Sequence, residues 1–358
     1  MSNILFALSD IYNTGKIKLG QDDSEESIIG GVILNRIVGI ACNNLDMSNL
    51  NRETQKTLSI LNKNYENQYD LFIKKLCFVI DILKDADFLY AFLKGSYLTP
   101  MLYKKGERIS NDLDILIRAD DVSKMQKLLQ KNGFVQGRCD EYGTIIEATR
   151  REIIESKMNY GETVPFLRYL ENDLIEIDLN FSLDYKAQGS SEIVEDFLSK
   201  TINVQYGERS IKTLASVDFL IHLCCHLYKE ASTYDWVINR RDLMLYKFSD
   251  INLFLNIFGD YNFFEALASR IKNIECLIPC YYTFVFTSYI YPNIRSLHGF
   301  NNMLDQIKPL STEYLKQIVF PKIQKIYTYE VDFDTWFSSN NRLSLLKEVI
   351  KGSDSIGR

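Results

Sequence analysis

Three regimes of hydrophobic patterning follow one another along the chain. Up to about residue 86 the apolar positions are spaced as on helices. Asn51 to Lys84 carries the clearest stripe, formed by Tyr69, Leu71, Phe72, Leu76, Ile80 and Leu83. Ser24 to Asn43 also reads as helical. Ser24 is placed to cap and Glu25 and Glu26 suit a first turn, although Gly30-Gly31 weakens the pattern. From Phe88 to about 185 the period changes to two. Strands are expected at Phe88–Leu93, Leu113–Ile117, Gly143–Thr149, Pro165–Leu170 and Leu174–Leu179, the last two joined through Glu171-Asn172-Asp173 as a hairpin. Short helices fit Tyr97 to Tyr103 and Val122 to Asn132, the second stopped by Gly133. Beyond about 186 helical spacing returns. Ser216, as a cap, opens a helix to Glu230. Leu243 to Phe258 is a second apolar run with a break near Ser249-Asp250, and Ser344 to Lys351 is a short terminal helix before a frayed end. Tyr281–Tyr291 fits a buried helix or a strand until Pro292-Asn293 ends it. No internal repeat or low-complexity linker appears. The expected fold is α+β: a small mixed β-sheet core at 87–205, flanked by an N-terminal helical region at 1–86 and a C-terminal helical domain at 206–358.

Within the period-two region the polar positions carry the chemistry. Residues i and i+2 of a strand share a face. Asp112 and Asp114 therefore point one way, while Leu113, Ile115 and Ile117 point into a core. In the later strand Glu176, Asp178 and Asn180 share a face opposite Ile175, Ile177 and Leu179. If the two strands are neighbours, Asp178 meets Asp112 and Asp114, and Glu176 competes with it for the place of third acid. Gly95-Ser96 ends the first strand where the backbone turns tightly and can approach a phosphate.

A phosphate turn beside clustered carboxylates suits nucleotidyl transfer, in which a hydroxyl attacks the α-phosphorus of a triphosphate and pyrophosphate leaves. Two divalent ions can clamp the attacking and leaving oxygens, and Mg²⁺ takes hard oxygen ligands. Asp112 and Asp114 are expected to bridge the ions and Asp178 to complete the second site. Asp178 would then act through the metal or as a general base on the acceptor hydroxyl. Ser96 and the amides after Gly95 are expected on the β and γ phosphates, with Lys94 and Arg108 as the nearest basic groups. An acid-x-acid strand alone is common; the combination with the turn and a third acid is not.

The stretch LKGSYLTPMLYKKGERISNDLDILI resembles the DNA polymerase β-like nucleotidyltransferase superfamily. More closely, Leu93, Lys94, Gly95, Leu98, Tyr103, Arg108, Ser110, Asp112 and Asp114 match the pattern of a bacterial family of uncharacterised nucleotidyltransferases. The strand ending in Asp178 resembles that family's third-acid strand. VDFLIHLCCHLYKE and the later Lys247-Phe248-Ser249-Asp250-Ile251 resemble its helical C-terminal part. The resemblance covers about 85 to 260. It implies an NTP substrate, with ATP preferred, two Mg²⁺ ions, and Lys94, Gly95, Ser96, Arg108 and Ser110 as nucleotide-binding positions. The spacer of 15 residues between Ser96 and Asp112 is long for the superfamily.

Bulk properties narrow the partners. A chain of 358 residues with 46% apolar and 25% charged residues can bury a large core. A net charge of -6 gives no support to non-specific nucleic-acid binding, so tRNA is a possible acceptor but not the favoured one. Seven dispersed cysteines suit a reducing compartment. No basic-then-apolar leader is seen, and no run nears the roughly 18 apolar residues of a membrane span. A cytoplasmic protein with no membrane partner is expected.

His222 and His226 stand i, i+4 on one helix, a spacing that binds zinc if a third ligand exists, but helix packing or contact with the nucleotide cleft is the simpler reading. Arg240-Arg241 reads as a solvated turn, and Cys276 and Cys280 as structural. The expected reaction is NMP transfer, AMP foremost, to a hydroxyl of a small molecule or peptide product. The alternatives are a toxin-type enzyme modifying tRNA or protein, and a non-catalytic nucleotide-binding scaffold.

Overall fold

The chain opens with three short helices where the apolar pattern suggests fewer and longer ones. In the computed structural model, which describes residues 2–20, 23–160, 162–183 and 191–349, these are α1 (Ser2–Ser9), α2 (Glu25–Leu34) and α3 (Val38–Asn44). Ser24 caps α2 as expected, accepting from the Ser27 N–H. The helix expected through Asn43 is interrupted at Arg36, whose φ is 55°. Asn35 fixes that turn: its side-chain amide donates to the Gly31 carbonyl at 2.9 Å, and its Oδ1 accepts from the Leu245 N–H at 3.1 Å. A tertiary contact therefore decides where α2 ends. Asn51 caps α4 (Arg52–Leu83) and accepts from the Thr54 N–H at 2.9 Å. Its apolar stripe, including Leu58, Phe72, Leu76, Val79, Ile80 and Leu83, is buried.

Next come β1 (Tyr90–Phe92), α5 (Gly95–Met101), β2 (Leu113–Ile117), α6 (Val122–Lys131), β3 (Val135–Cys139), β4 (Ile145–Glu147), α7 (Arg150–Tyr160), β5 (Phe166–Leu170), β6 (Asp173–Asn180), α8 (Ser191–Ser199), β7 (Ile202–Tyr206) and β8 (Arg209–Thr213). Gly95 and Ser96, expected in a turn ahead of the helix, form its first residues. Gly133 follows α6 at φ 80°, as a C′ glycine should. The eight strands make one mixed sheet in the order β4-β3-β5-β6-β2-β1-β8-β7. β2 runs parallel to β6 and β1 parallel to β8, while the other pairs are antiparallel. The β7–β8 hairpin and helices α7 and α8 have no counterpart among the sequence expectations. The boundary expected at 205/206 falls inside β7, and Thr213 at the end of β8 still donates to the Phe92 carbonyl of β1 at 2.7 Å.

The remaining helices are α9 (Ser216–Ala231), α10 (Tyr234–Ile238), α11 (Leu245–Phe258), α12 (Tyr261–Asn273), α13 (Leu277–Ile290), α14 (Phe300–Gln306) and α15 (Phe333–Ser338). Ser216 is the first residue of α9 rather than its cap. α11 runs unbroken through Ser249-Asp250 because both polar side chains find buried partners: Ser249 donates to the Leu245 carbonyl at 3.0 Å and Asp250 receives Arg108. Tyr281–Tyr291 resolves as helix. Its less buried face also carries apolar and aromatic residues, Tyr281, Val285 and Tyr289, which erases the helical periodicity that would have distinguished it from a strand. The terminal helix expected at Ser344–Lys351 is replaced by a 3₁₀ turn (Arg342–Leu345) and strand β11 (Lys347–Glu348). β11 joins β9 (Gln317–Phe320) and β10 (Lys325–Thr328) in a three-stranded antiparallel sheet. The end expected to fray lies outside the described residues.

The fold is thus α+β with helical flanks on both sides of the sheet, as the patterning implied. One apolar core joins them, with Leu76 of α4, Phe92 of β1, Ile115 of β2, Ile177 of β6, Phe219 of α9, Phe254 of α11 and Phe284 of α13 in a single cluster. Among the described residues no helix is long and apolar enough to cross a membrane.

Candidate active site

The register between β2 and β6 builds the site. Leu113 lies opposite Ile177 and Asp114 opposite Asp178. Side chains of paired residues in adjacent strands point to the same face. Asp114 and Asp178 therefore stand side by side. Asp112, just before β2, and Glu176 of β6 follow on that face one row away, and Asn180 follows on the other side. Leu113, Ile115, Ile177 and Leu179 point away from it and are fully buried. Asp114 is buried and Asp112, Glu176 and Asp178 are half-buried.

Crowding like charges on a half-buried face makes their ionisation unfavourable. Burial, with Asp114, Asp112 and Glu176 close by, pushes the Asp178 carboxyl up to about 9, against a smaller opposing pull from Lys94. Burial and then Asp112 and Asp114 raise Glu176 as well. The order of the two effects does not separate Asp178 from Glu176 as the third acid. The Lys94 ammonium meets Asp114 Oδ1 at 2.8 Å.

β1 delivers the turn. Leu93 N–H donates to the Asp114 carbonyl at 2.9 Å, so the end of β1 is tied to the acid strand itself. Lys94 then adopts φ 44° and ψ -122°, a region that L-residues rarely occupy. Gly95 has no room for a side chain: a Cβ there would lie 2.1 Å from Ser110 Oγ and 2.7 Å from an Arg108 guanidinium nitrogen. Ser96 is fully buried, and its hydroxyl has no hydrogen-bond partner among the described residues. Its N–H already donates to the Leu93 carbonyl at 3.0 Å.

Arg108 and Ser110 lie under this turn. Arg108 is buried and forms a two-point ion pair with Asp250 of α11, Nε to Oδ1 at 2.8 Å and Nη2 to Oδ2 at 2.9 Å. Its Nη1 donates to Thr99 Oγ1 at 3.0 Å and to Ser110 Oγ, and Tyr103 donates its hydroxyl to Asp250 at 2.7 Å. Burial disfavours the charged guanidinium, but Asp250 outweighs it and holds the pKa above the ordinary value. Sequence reasoning brought Lys94, Gly95, Ser96, Arg108 and Ser110 to one place, and the structure places them together. It did not identify Thr99 or Asp250. The Lys-Phe-Ser-Asp-Ile match around Asp250 was the available signal, and nothing in the sequence pointed to Thr99.

Beside Lys94 a small cleft, about 30 Å³, is lined by Arg108, Leu223, His226, Tyr246, Lys247 and Asp250 among others. His226 lies 3.4 Å from Glu230, and Lys247 is ion-paired with the same carboxylate. His222 is fully buried one turn away. Among the described residues no three His, Cys, Asp or Glu side chains gather closely enough to hold a metal ion. That holds for the helix α9 histidines and for the acids of the sheet as they stand. The acids nevertheless fit a divalent cation in kind: they are hard oxygen donors, and burial together with their mutual repulsion raises the Asp178 carboxyl. The unpartnered Ser96 hydroxyl is a ready donor to a phosphate oxygen. Arg241 is exposed at the turn after α10, and Cys276 and Cys280 are buried.

A model of the family described as uncharacterised nucleotidyltransferase matches residues 27–292, which include the whole of this site. No curated protein matches the chain. Among solved structures, an antigenic nucleotidyltransferase-like protein from Paracoccidioides brasiliensis is similar at 14% identity and a TM-score of 0.31, over 56% of this chain and 88% of that one. That likeness is too slight to establish the fold.

Proposed function

The chain belongs to this family of uncharacterised nucleotidyltransferases, and from that premise we propose that it transfers NMP, AMP foremost, from a triphosphate to a hydroxyl acceptor with Mg²⁺ as cofactor, on a core of the DNA polymerase β type. The observation that carries the reading is the register of β2 and β6, which sets Asp114 beside Asp178, with Asp112 and Glu176 on the same face.

Asp112, Asp114 and Asp178 are the residues that would hold Mg²⁺. When bound, Mg²⁺ supplies positive charge against the acids and the triphosphate, and Lewis acidity at the phosphoryl oxygen. The chain's own contributions are more specific. Ser96 offers its buried hydroxyl to a phosphate oxygen, and Gly95 lets Ser110 and Arg108 pack directly against the turn. Arg108 and Ser110 hold the turn in place from beneath, with Arg108 committed to Asp250. The carboxylate nearest the acceptor, Asp178 or Glu176, accepts its proton.

A small-molecule or peptide acceptor remains preferred over tRNA. The cleft's cations carry their own anions: Lys94 has Asp114, Arg108 has Asp250 and Lys247 has Glu230. Little basic charge is left there for a polynucleotide backbone.

The test is binding and slow turnover of the four labelled triphosphates by purified protein, with and without Mg²⁺, scoring pyrophosphate release and label on protein separately. Mg²⁺-dependent release that disappears in D112N/D114N supports the reading. Label on the protein itself moves the preference to a self-modifying or toxin-type enzyme. No binding of any triphosphate by folded protein sinks the enzyme reading in favour of a scaffold.

A further inference from the structure

Lys94 stands where glycine would be free of strain. Its φ of 44° and ψ of -122° belong to a region that glycine enters easily and a lysine enters at a cost. Backbone strain of this kind persists where the surroundings or the side chain require it. Here the side chain has a use: Lys94 Nζ reaches Asp114 Oδ1 at 2.8 Å, with the two side chains only 16% and 8% exposed. A carboxylate buried that deeply is costly to leave without positive charge. Asp114 also lies between Asp112 and Asp178 on the face that the proposed chemistry gives to a divalent cation.

We propose that Lys94 is the resident counter-ion of the acid face, and that a divalent cation must take Asp114 from its ammonium. The inference rests on the nucleotidyltransferase reading and deepens it by giving the empty-handed enzyme its own cation. Two positive charges drawn to one carboxylate oxygen repel each other across a few ångströms, so the two partners compete. Lys94 also lines the cleft with His226, Tyr246 and Lys247. An ammonium released from Asp114 therefore remains at the cleft, where triphosphate charge can hold it. Metal and nucleotide would then support each other's binding, because the nucleotide takes up the lysine that the metal displaces.

The experiment needs no turnover. Mn²⁺ is titrated into wild-type protein and K94Q without nucleotide, and bound metal is read by loss of the free-ion paramagnetic resonance signal. Removing the competitor is expected to tighten Mn²⁺ binding by about tenfold or more, and metal-free K94Q is expected to melt below wild type. Equal or weaker Mn²⁺ binding by K94Q overturns the counter-ion role and leaves the nucleotidyltransferase reading standing. Mn²⁺ bound by neither protein overturns both. If K94Q does not fold, wild type serves: acylation of Lys94, followed by mass spectrometry, is expected to accelerate when Mn²⁺ is added. An unchanged rate overturns the proposal.

Discussion

Two clusters of buried charge stand close together in this protein and are built on opposite plans. Under the Gly95 turn, Arg108 meets Asp250 through two hydrogen bonds, and Tyr103, Thr99 and Ser110 take up the remaining capacity. Every charge there has its counterpart, and the cluster ties the loop before β2 to helix α11. On the sheet face four carboxylates crowd together, Lys94 meets one of them, and Asp178 is pushed up to about 9. A matched pair costs desolvation but locks geometry. An unmatched set is held under electrostatic strain that a proton or a cation relieves, which makes the face ready for a ligand. The contrast suggests that removing a charge from the first cluster damages the fold, whereas removing an acid of the second that Lys94 does not hold (Asp112, Glu176 or Asp178) spares the fold, with any loss falling on activity.

The sharpest way to break that contrast is D112N/D114N. Turnover is expected to fall by at least about a thousandfold. D112N alone, which leaves the Lys94–Asp114 pair intact, is expected to keep an unchanged or higher melting temperature because a like charge has been removed, and a lower one would place Asp112 in the structural class. D178N and E176Q, measured separately, sharpen the assignment: one is expected to cost orders of magnitude in pyrophosphate release and the other less than about tenfold. On the matched side, D250N leaves a buried guanidinium without its anion. Denaturant unfolding is expected to show a loss of about 3–5 kcal/mol, and a loss below about 1 kcal/mol would show that the pair is dispensable.

G95A tests the junction of the two clusters. Its Cβ would press on Ser110 and Arg108, and a destabilisation of about 1–3 kcal/mol is expected together with weaker triphosphate binding. Unchanged binding would detach the turn from the nucleotide. The smallest effect is expected far from the site. Arg209 and Lys84, hydrogen-bonded to the half-exposed Asp81, lower its carboxyl to about 2. Its folded value lies below the ordinary aspartate value, so its contribution is present above about pH 4 and is lost as pH falls through 2. Solvent screening keeps that contribution under about 1 kcal/mol, and D81N is expected to flatten the acid limb of a stability–pH profile by that amount.

The site was more legible in the sequence than the outer parts of the fold. Asp112, Asp114, Glu176 and Asp178 could be placed on common faces because strand alternation is a local rule. The α4 stripe and the Ser24 cap were legible for the same reason. The β7–β8 hairpin was not read from the sequence, although Ile202, Val204 and Tyr206 alternate with Asn203 and Gln205 and Gly207 marks the turn; its strands are mostly exposed or half-exposed and stand out little from a loop. Ser249-Asp250 looked like a helix break because two polar residues in an apolar run suggest solvent. Both are in fact buried, with partners in α1 and before β2. The terminal segment had helical composition but was taken by strand pairing with β10.

What the sequence determined by itself is whatever depends on neighbours within a turn or a strand: the period of each element, the two-residue spacing that puts acids on one face, and the Ser24 cap of α2. What only the tertiary structure decided is whatever needs a partner from elsewhere in the chain. Asp114 finds Asp178 only through the parallel register of β2 and β6. Arg108 becomes a structural cation only because α11 brings Asp250 to it. Lys94 is drawn to Asp114 rather than to solvent because the end of β1 is hydrogen-bonded to the acid strand. Charges report their sign in a sequence; their pairing depends on distance and burial, and those are properties of the folded chain.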